Sequence, residues 1–136
     1  MKKASIKTAR FTDNGDGTVT DTTSGLMWTK ATLACGEVKH ADAIKACSAL
    51  RLSGHKDWRL PTVEELFVLA DRTRHNPAID IAAFPDTKSD WYWTSTLCAW
   101  GPSCAWVVGF GYGSADDYHR DSYAFVRAVR SARASQ

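Results

Sequence analysis

The residues best suited to chemistry lie late in the chain. Gly111 to Tyr123 reads Gly-Tyr-Gly-Ser-Ala-Asp-Asp-Tyr-His-Arg-Asp-Ser-Tyr. Tyrosines give rigid amphipathic contact area, Ser, Asp and His give adaptable hydrogen bonding, and Arg120 gives a forked donor. That is the chemistry of recognition rather than of bond breaking. The candidate ligand-binding residues are Tyr112, Ser114, Asp116, Asp117, Tyr118, His119, Arg120 and Tyr123. Trp100, in the other long insertion at 97–104, is a candidate neighbour. The competing reading is a polar connection without a ligand, and the length of the polar insertion favours binding. Tyr123 also reads as the first residue of the last strand, facing the core.

Signatures of catalysis are absent from the sequence. There is no Walker loop, no nucleophile elbow and no HExxH helix. His40, His55, His75 and His119 lack metal-ligand spacing, and His40 and His55 read as solvated. Cys35, Cys47, Cys98 and Cys104 do not form the paired CxxC pattern, so no metal site is expected. Cys98 and Cys104 bracket Ala-Trp-Gly-Pro-Ser, a turn-prone stretch that a local disulfide could close. Reduced thiols fit the sequence equally well. Asp13, Asn14 and Asp16 hint at a calcium loop. In the EF-hand register, however, Thr12 falls at position one and the distal Glu is missing. A turn explains these residues without a metal, and no cofactor is expected.

The elements that would position these residues follow from patterning. Residues 10–28 read as a three-stranded meander, turned at Asn14-Gly15-Asp16-Gly17 and at Thr23-Ser24-Gly25. A helix from about Ala41 to Leu50 carries the stripe Ala43, Ile44, Cys47 and Leu50. Asp57-Trp58-Arg59-Leu60-Pro61-Thr62-Val63-Glu64-Glu65-Leu66 is a stop followed by a start. Pro61 keeps Leu60 extended, and Thr62 with Glu65 spells a capping box for a second helix, to about Arg72. Trp58 and Leu60 should pack beneath that helix, while Asp57 and Arg59 each need a partner for their charge. Trp58, Arg59, Leu60, Thr62 and Glu65 therefore read as a structural hub. Ile79, Ile81 and Phe84 should plug the core from an irregular stretch. Strands follow at Trp91–Thr96, Ala105–Phe110 and Tyr123–Val129, with 97–104 and 111–122 as long insertions. The order strands, two helices, loop, strands is α+β, with tails at 1–9 and 131–136 around a domain at 10–130.

Composition bounds the partners. The 136 residues make one domain with 44% hydrophobic residues and a net charge of +2, which does not argue for nucleic acid. Lys2, Lys3 and Lys7 at the front and Arg127, Arg130 and Arg133 at the back read as solvated ends. No apolar run reaches membrane-spanning length. Lys2 and Lys3 are not followed by an apolar stretch, so no signal peptide is expected. The protein is then cytoplasmic, a virion part, or an exported protein with its leader removed.

Asp57-Trp58-Arg59-Leu60-Pro61-Thr62-Val63-Glu64-Glu65-Leu66 resembles the signature of the Lcl C-terminal family. That family is the C-type-lectin-like domain ending the collagen-like adhesin of Legionella, and it occurs in other bacterial and phage proteins. Blocks at 10–28, 43–54, 77–85 and 92–130 fit its pattern in order. The resemblance implies a C-type-lectin-like fold, a twisted antiparallel sheet flanked by two helices, and the element order places the N- and C-terminal strands near each other. It also implies a ligand-facing surface at Tyr112, Ser114, Asp116, Asp117, Tyr118, His119 and Arg120, positions that related variants diversify. The Glu-Pro-Asn type motif of calcium-dependent lectins is missing. The expectation is a non-enzymatic module that binds a protein or glycan, as an adhesin or phage receptor-binding component. One alternative is an intracellular protein-binding inhibitor or accessory factor. The other is a thiol-dependent oxidase, because the fold is similar to that of formylglycine-generating enzymes, which use a close cysteine pair.

Overall fold

The structure is a computed structural model that describes residues 10–132. The expected tail at 1–9 lies outside the described residues, as do residues 133–136 of the expected C-terminal tail.

The first sheet is the meander joined by the end of the chain. Strands β1 (Phe11–Asp13), β2 (Thr18–Asp21), β3 (Leu26–Thr29) and β7 (Val129–Ser131) lie in the order β1-β2-β3-β7, each pair antiparallel. The β1–β2 turn is built as its residues dictate. Gly15 and Gly17 take positive φ, which glycine adopts without strain. Asp13 accepts the Gly15 N–H at 2.9 Å and pairs with Lys30 at 2.6 Å. The Asn14 amide donates to the hydroxyls of Thr18 and Thr20, and Asp16 accepts from Thr18 and Ser53. The three side chains weighed as a calcium loop thus fasten the turn.

The second sheet has the order β4-β5-β6, also antiparallel: β4 (Trp91–Cys98), β5 (Gly101–Gly109) and β6 (Ser114–His119). Here the structure departs from the sequence reading. The stretch 97–104 is a tight hairpin around Ala99 and Trp100 rather than a long insertion. The stretch 111–122 contains a strand. Ser-Ala-Asp-Asp has low intrinsic preference for a strand; a ladder with β5, from Cys104↔His119 to Gly109↔Ser114, holds it extended.

Two helices lie among the described residues, α1 (His40–Ala49) and α2 (Val63–Phe67). Ala43 and Cys47 of α1 are buried as expected, but Ile44 faces solvent. Helix α2 stops well short of Arg72. The Asp71 N–H donates across to Ala78, and its carboxylate accepts the N–H and hydroxyl of Thr73, a local alternative to helical bonding. Of the expected plugs, Ile79 and Phe84 are fully buried and Ile81 is exposed.

The hub forms as its residue types require. Trp58 and Leu60 are buried, but in the cluster with Ala43 and Cys47 of α1 rather than the one holding Leu66 of α2, and the indole N–H reaches the Leu52 carbonyl at 3.4 Å. Thr62 accepts from Glu65 N–H, and Glu65 accepts from Thr62 N–H. Arg59 grips Glu65 with two bonds of 2.8 Å, and Arg130 grips Asp57 at 2.6 and 3.2 Å. The Arg59 guanidinium holds the Glu65 carboxyl below its ordinary range, and Arg130 does the same to Asp57.

Two expectations about charge fail. Arg127 is completely buried, and Arg130 nearly so; neither is a solvated end. Arg127 donates to the carbonyls of Thr29 and Lys30 at 2.6 and 2.7 Å and to the Thr87 hydroxyl at 2.9 Å. It also lies over the Phe84 ring, 4.8 Å from the centroid. Such a fork can be buried because its two terminal nitrogens find fixed acceptors and Asp86 lies 3.8 Å away, although Nε has no hydrogen-bond partner. His40 is buried as well, not solvated.

The segment before β7 binds the parts together. Ala124 bridges Val38, Phe125 bridges Tyr92 of the second sheet, Val126 accepts from Leu33, Ala128 accepts from Thr29, and Val129 bridges Arg59.

Candidate ligand-binding surface

Directly opposed residues of an antiparallel pair share a face of the sheet. The β5–β6 register therefore sorts the predicted site. Cys104 and His119, Trp106 and Asp117, and Val108 and Ala115 point to one side. Ala105 and Tyr118, Val107 and Asp116, and Gly109 and Ser114 point to the other.

On the second side, Tyr118 is not a free anchor. It is half-buried, its ring 5.8 Å from Trp91 and 6.1 Å from Trp93. Trp91 in turn lies so close over Gly109 that an added Cβ would sit 2.7 Å from the indole. Only glycine allows that approach. Arg120 is also committed to the fold. Its Nε donates to Nδ1 of His40 at 3.0 Å, while Nε2 of His40 meets the Thr94 carbonyl at 2.8 Å. These partners assign His40 as the neutral Nε2–H tautomer. Burial, with Arg120 adding to it, pulls the imidazole below its ordinary pKa.

The first side holds an open aromatic patch. Trp100, at the β4–β5 turn, is 66% exposed and packs edge-on against Trp106 at 5.8 Å between centroids. Trp106 also lines a shallow groove of about 310 Å³ with Val63, Glu64, Phe67, Thr96 and Ala115. That lining is mostly apolar. Asp117 stands opposite Trp106, and His119 lies two residues further along the same face.

The structure thus gathers Trp100, Asp117 and His119 and separates the rest. Ser114 and Asp116 are exposed on the opposite face. Tyr112 is 76% exposed at the β5–β6 turn. Trp100 precedes β5 and Tyr112 follows it, and nine strand residues span roughly 27 Å. Tyr123 lies beyond β6, exposed rather than in the core. Trp106, Phe67 and Thr96 were not singled out from the sequence. Their link to Asp117 runs through the β5–β6 register, which is invisible while Ser114–His119 reads as a loop.

Beside this patch, Cys98, Cys104 and Asp117 bring two sulfurs and a carboxylate oxygen within 4.8 Å of one another. All four cysteines are free thiols. Burial pushes the Cys98 thiol up to about 12, with neighbouring Cys104 and Asp117 adding to it. Burial alone does most of the same at Cys47, also to about 12.

Two antiparallel sheets, two short helices and an open aromatic and acidic surface define a small mixed α/β domain. The chain belongs to the Lcl C-terminal domain family, whose family model matches residues 17–130. No curated protein matches the sequence. Among the described residues, no helix is long and apolar enough to cross a membrane.

Proposed function

We propose that this domain is a non-enzymatic binding module with a C-type-lectin-like arrangement. Its ligand is a protein or a glycan, and it docks on the Trp100–Trp106 surface. The pairing of β3 with β7, which brings the N-terminal meander and the last strand into one sheet, supports the fold assignment, although β1 itself lies at the opposite edge. The observation that carries the function is the exposed Trp100 packed edge-on against Trp106, which itself lines the groove with Phe67 and Thr96. Large aromatic side chains that remain open to water beside a carboxylate are the usual anchors of an interface. The apolar lining favours a protein side chain over a sugar, which would need more polar groups to replace its hydration. Roles as an adhesin, a phage receptor-binding part or an intracellular accessory factor are all compatible with such a surface.

Glycan-array and lysate pull-down experiments should identify the ligand, and titrations of variants should locate it. Trp100→Ala is expected to weaken binding about tenfold or more, as truncation of an interface anchor does. Tyr112→Ala, at the far end of the sheet, should bind like the parent. The reverse ranking would move the site to the Tyr112 end and overturn the assignment.

A further inference from the structure

We propose that Cys98, Cys104 and Asp117 form a site for a thiophilic divalent cation, zinc being the natural choice, with the fourth coordination position open to solvent. The proposal shares Asp117 with the ligand surface beside it but rests on different observations. It differs from the sequence expectation of no metal because the site is assembled by register rather than spacing. Cys98 comes from the end of β4, Cys104 from β5 and Asp117 from β6. Only the folded sheet brings them together.

Three features carry the inference. The first is distance: all three ligand atoms already lie within 4.8 Å of one another. A tetrahedral zinc with sulfur at 2.3 Å needs its sulfurs roughly 3.8 Å apart, so the two sulfurs need to close by about 1 Å at most. The second is the donor set. Two sulfurs with one carboxylate suit zinc or its soft congeners, whereas calcium and magnesium demand oxygen. The third is placement. The two cysteines are nearly sealed from water, while Asp117 is exposed, so a cation can enter from the carboxylate side and be held from beneath. His119 is not among the ligand atoms gathered there, and its Nδ1 accepts the Asp121 N–H at 3.1 Å.

The test uses the full chain, reduced and stripped of metal, titrated with cobalt(II) as a spectroscopic stand-in for zinc. A thiolate-to-cobalt charge-transfer absorption should grow to saturation at a single equivalent and vanish when zinc is added. Cys98→Ser and Cys104→Ser should each abolish it. Asp117→Asn, an exposed change that should leave the fold intact, should weaken binding roughly tenfold or more, given that even residues supporting a ligand matter this much. A Cys35→Ser/Cys47→Ser double variant should behave like the parent. Absence of the absorption in the parent overturns the proposal, as does its persistence in Cys98→Ser. So does an Asp117→Asn variant with unchanged affinity, or a Cys98–Cys104 disulfide that forms in a glutathione buffer despite saturating zinc.

Discussion

The hub at Asp57–Leu66 and the sheet around Ser114–His119 are made of similar residues and end in opposite states. Both hold aromatic, acidic and threonine or serine side chains. In the hub most polar groups are matched within the chain: Arg59 by Glu65, Asp57 by Arg130, and the indole N–H of Trp58 by a backbone carbonyl, with Glu64 left exposed. Around β6 the interactions stop at one face. Tyr118 packs inward on Trp91 and Trp93, whereas Trp100 and Asp117 remain open to water. Composition therefore does not separate a scaffold from a recognition surface. What separates them is whether the polar groups find partners within the chain.

The sharpest way to break this comparison is to remove an internally matched group. Trp58→Ala should lose about 3–5 kcal/mol, the usual loss for a large core aromatic. Arg127→Ala should lose a similar amount, about 3–5 kcal/mol, since it strands the acceptors of Thr29, Lys30 and Thr87. Urea unfolding measures both; a parent-like midpoint for Trp58→Ala would dissolve the hub as a distinct region, and one for Arg127→Ala would make its buried hydrogen bonds dispensable. Tyr118→Ala comes next, at about 1–2 kcal/mol from two aromatic contacts. A loss below that range would return Tyr118 to the open surface. Thr62→Ala should lose about 1 kcal/mol through the helix cap, again read from the unfolding midpoint.

A subtler outcome is a slope in pH. Because burial holds the folded His40 below its ordinary value of 6.5, the unfolded chain takes up a proton first as pH falls. Stability contributed by neutral His40 is then fully present above that value and declines as the pH drops from about 7 toward 5. Thermal unfolding across that range should show the decline in the parent and not in His40→Gln. Smallest of all, Trp100→Ala should change stability by no more than about 0.5 kcal/mol, as exposed substitutions do, even while it weakens binding. A large destabilisation there would make the Trp100–Trp106 pair part of the scaffold.

The contrast also explains what could be read in advance. The capping box, the glycine turns and the β4 and β5 strands rest on neighbours in sequence, so short-range patterns revealed them. Burial of His40 and Arg127 depends on acceptors supplied from far away, Thr94 for one and Thr29 with Lys30 for the other. Nothing adjacent to either residue announces those acceptors. Strand β6 was concealed for the same reason, since its extended form is imposed by β5 against weak local preference. With β6 hidden, the face shared by Trp106, Asp117 and the two cysteines had no signature in the sequence.

The segment from Ala124 to Ser131 has a consequence in time as well as in space. It touches Val38, Tyr92, Leu33, Thr29 and Arg59 before pairing with β3, where Ser131 meets Leu26. These contacts span most of the chain, so their loop-closure entropy must be overcome late. On a ribosome the first meander would emerge with its β3 edge bare, waiting for a partner made about a hundred residues later. Until then the nascent domain presents an unpaired strand edge, the form most open to mispairing with other chains. Closure of the first sheet therefore waits on the synthesis of β7.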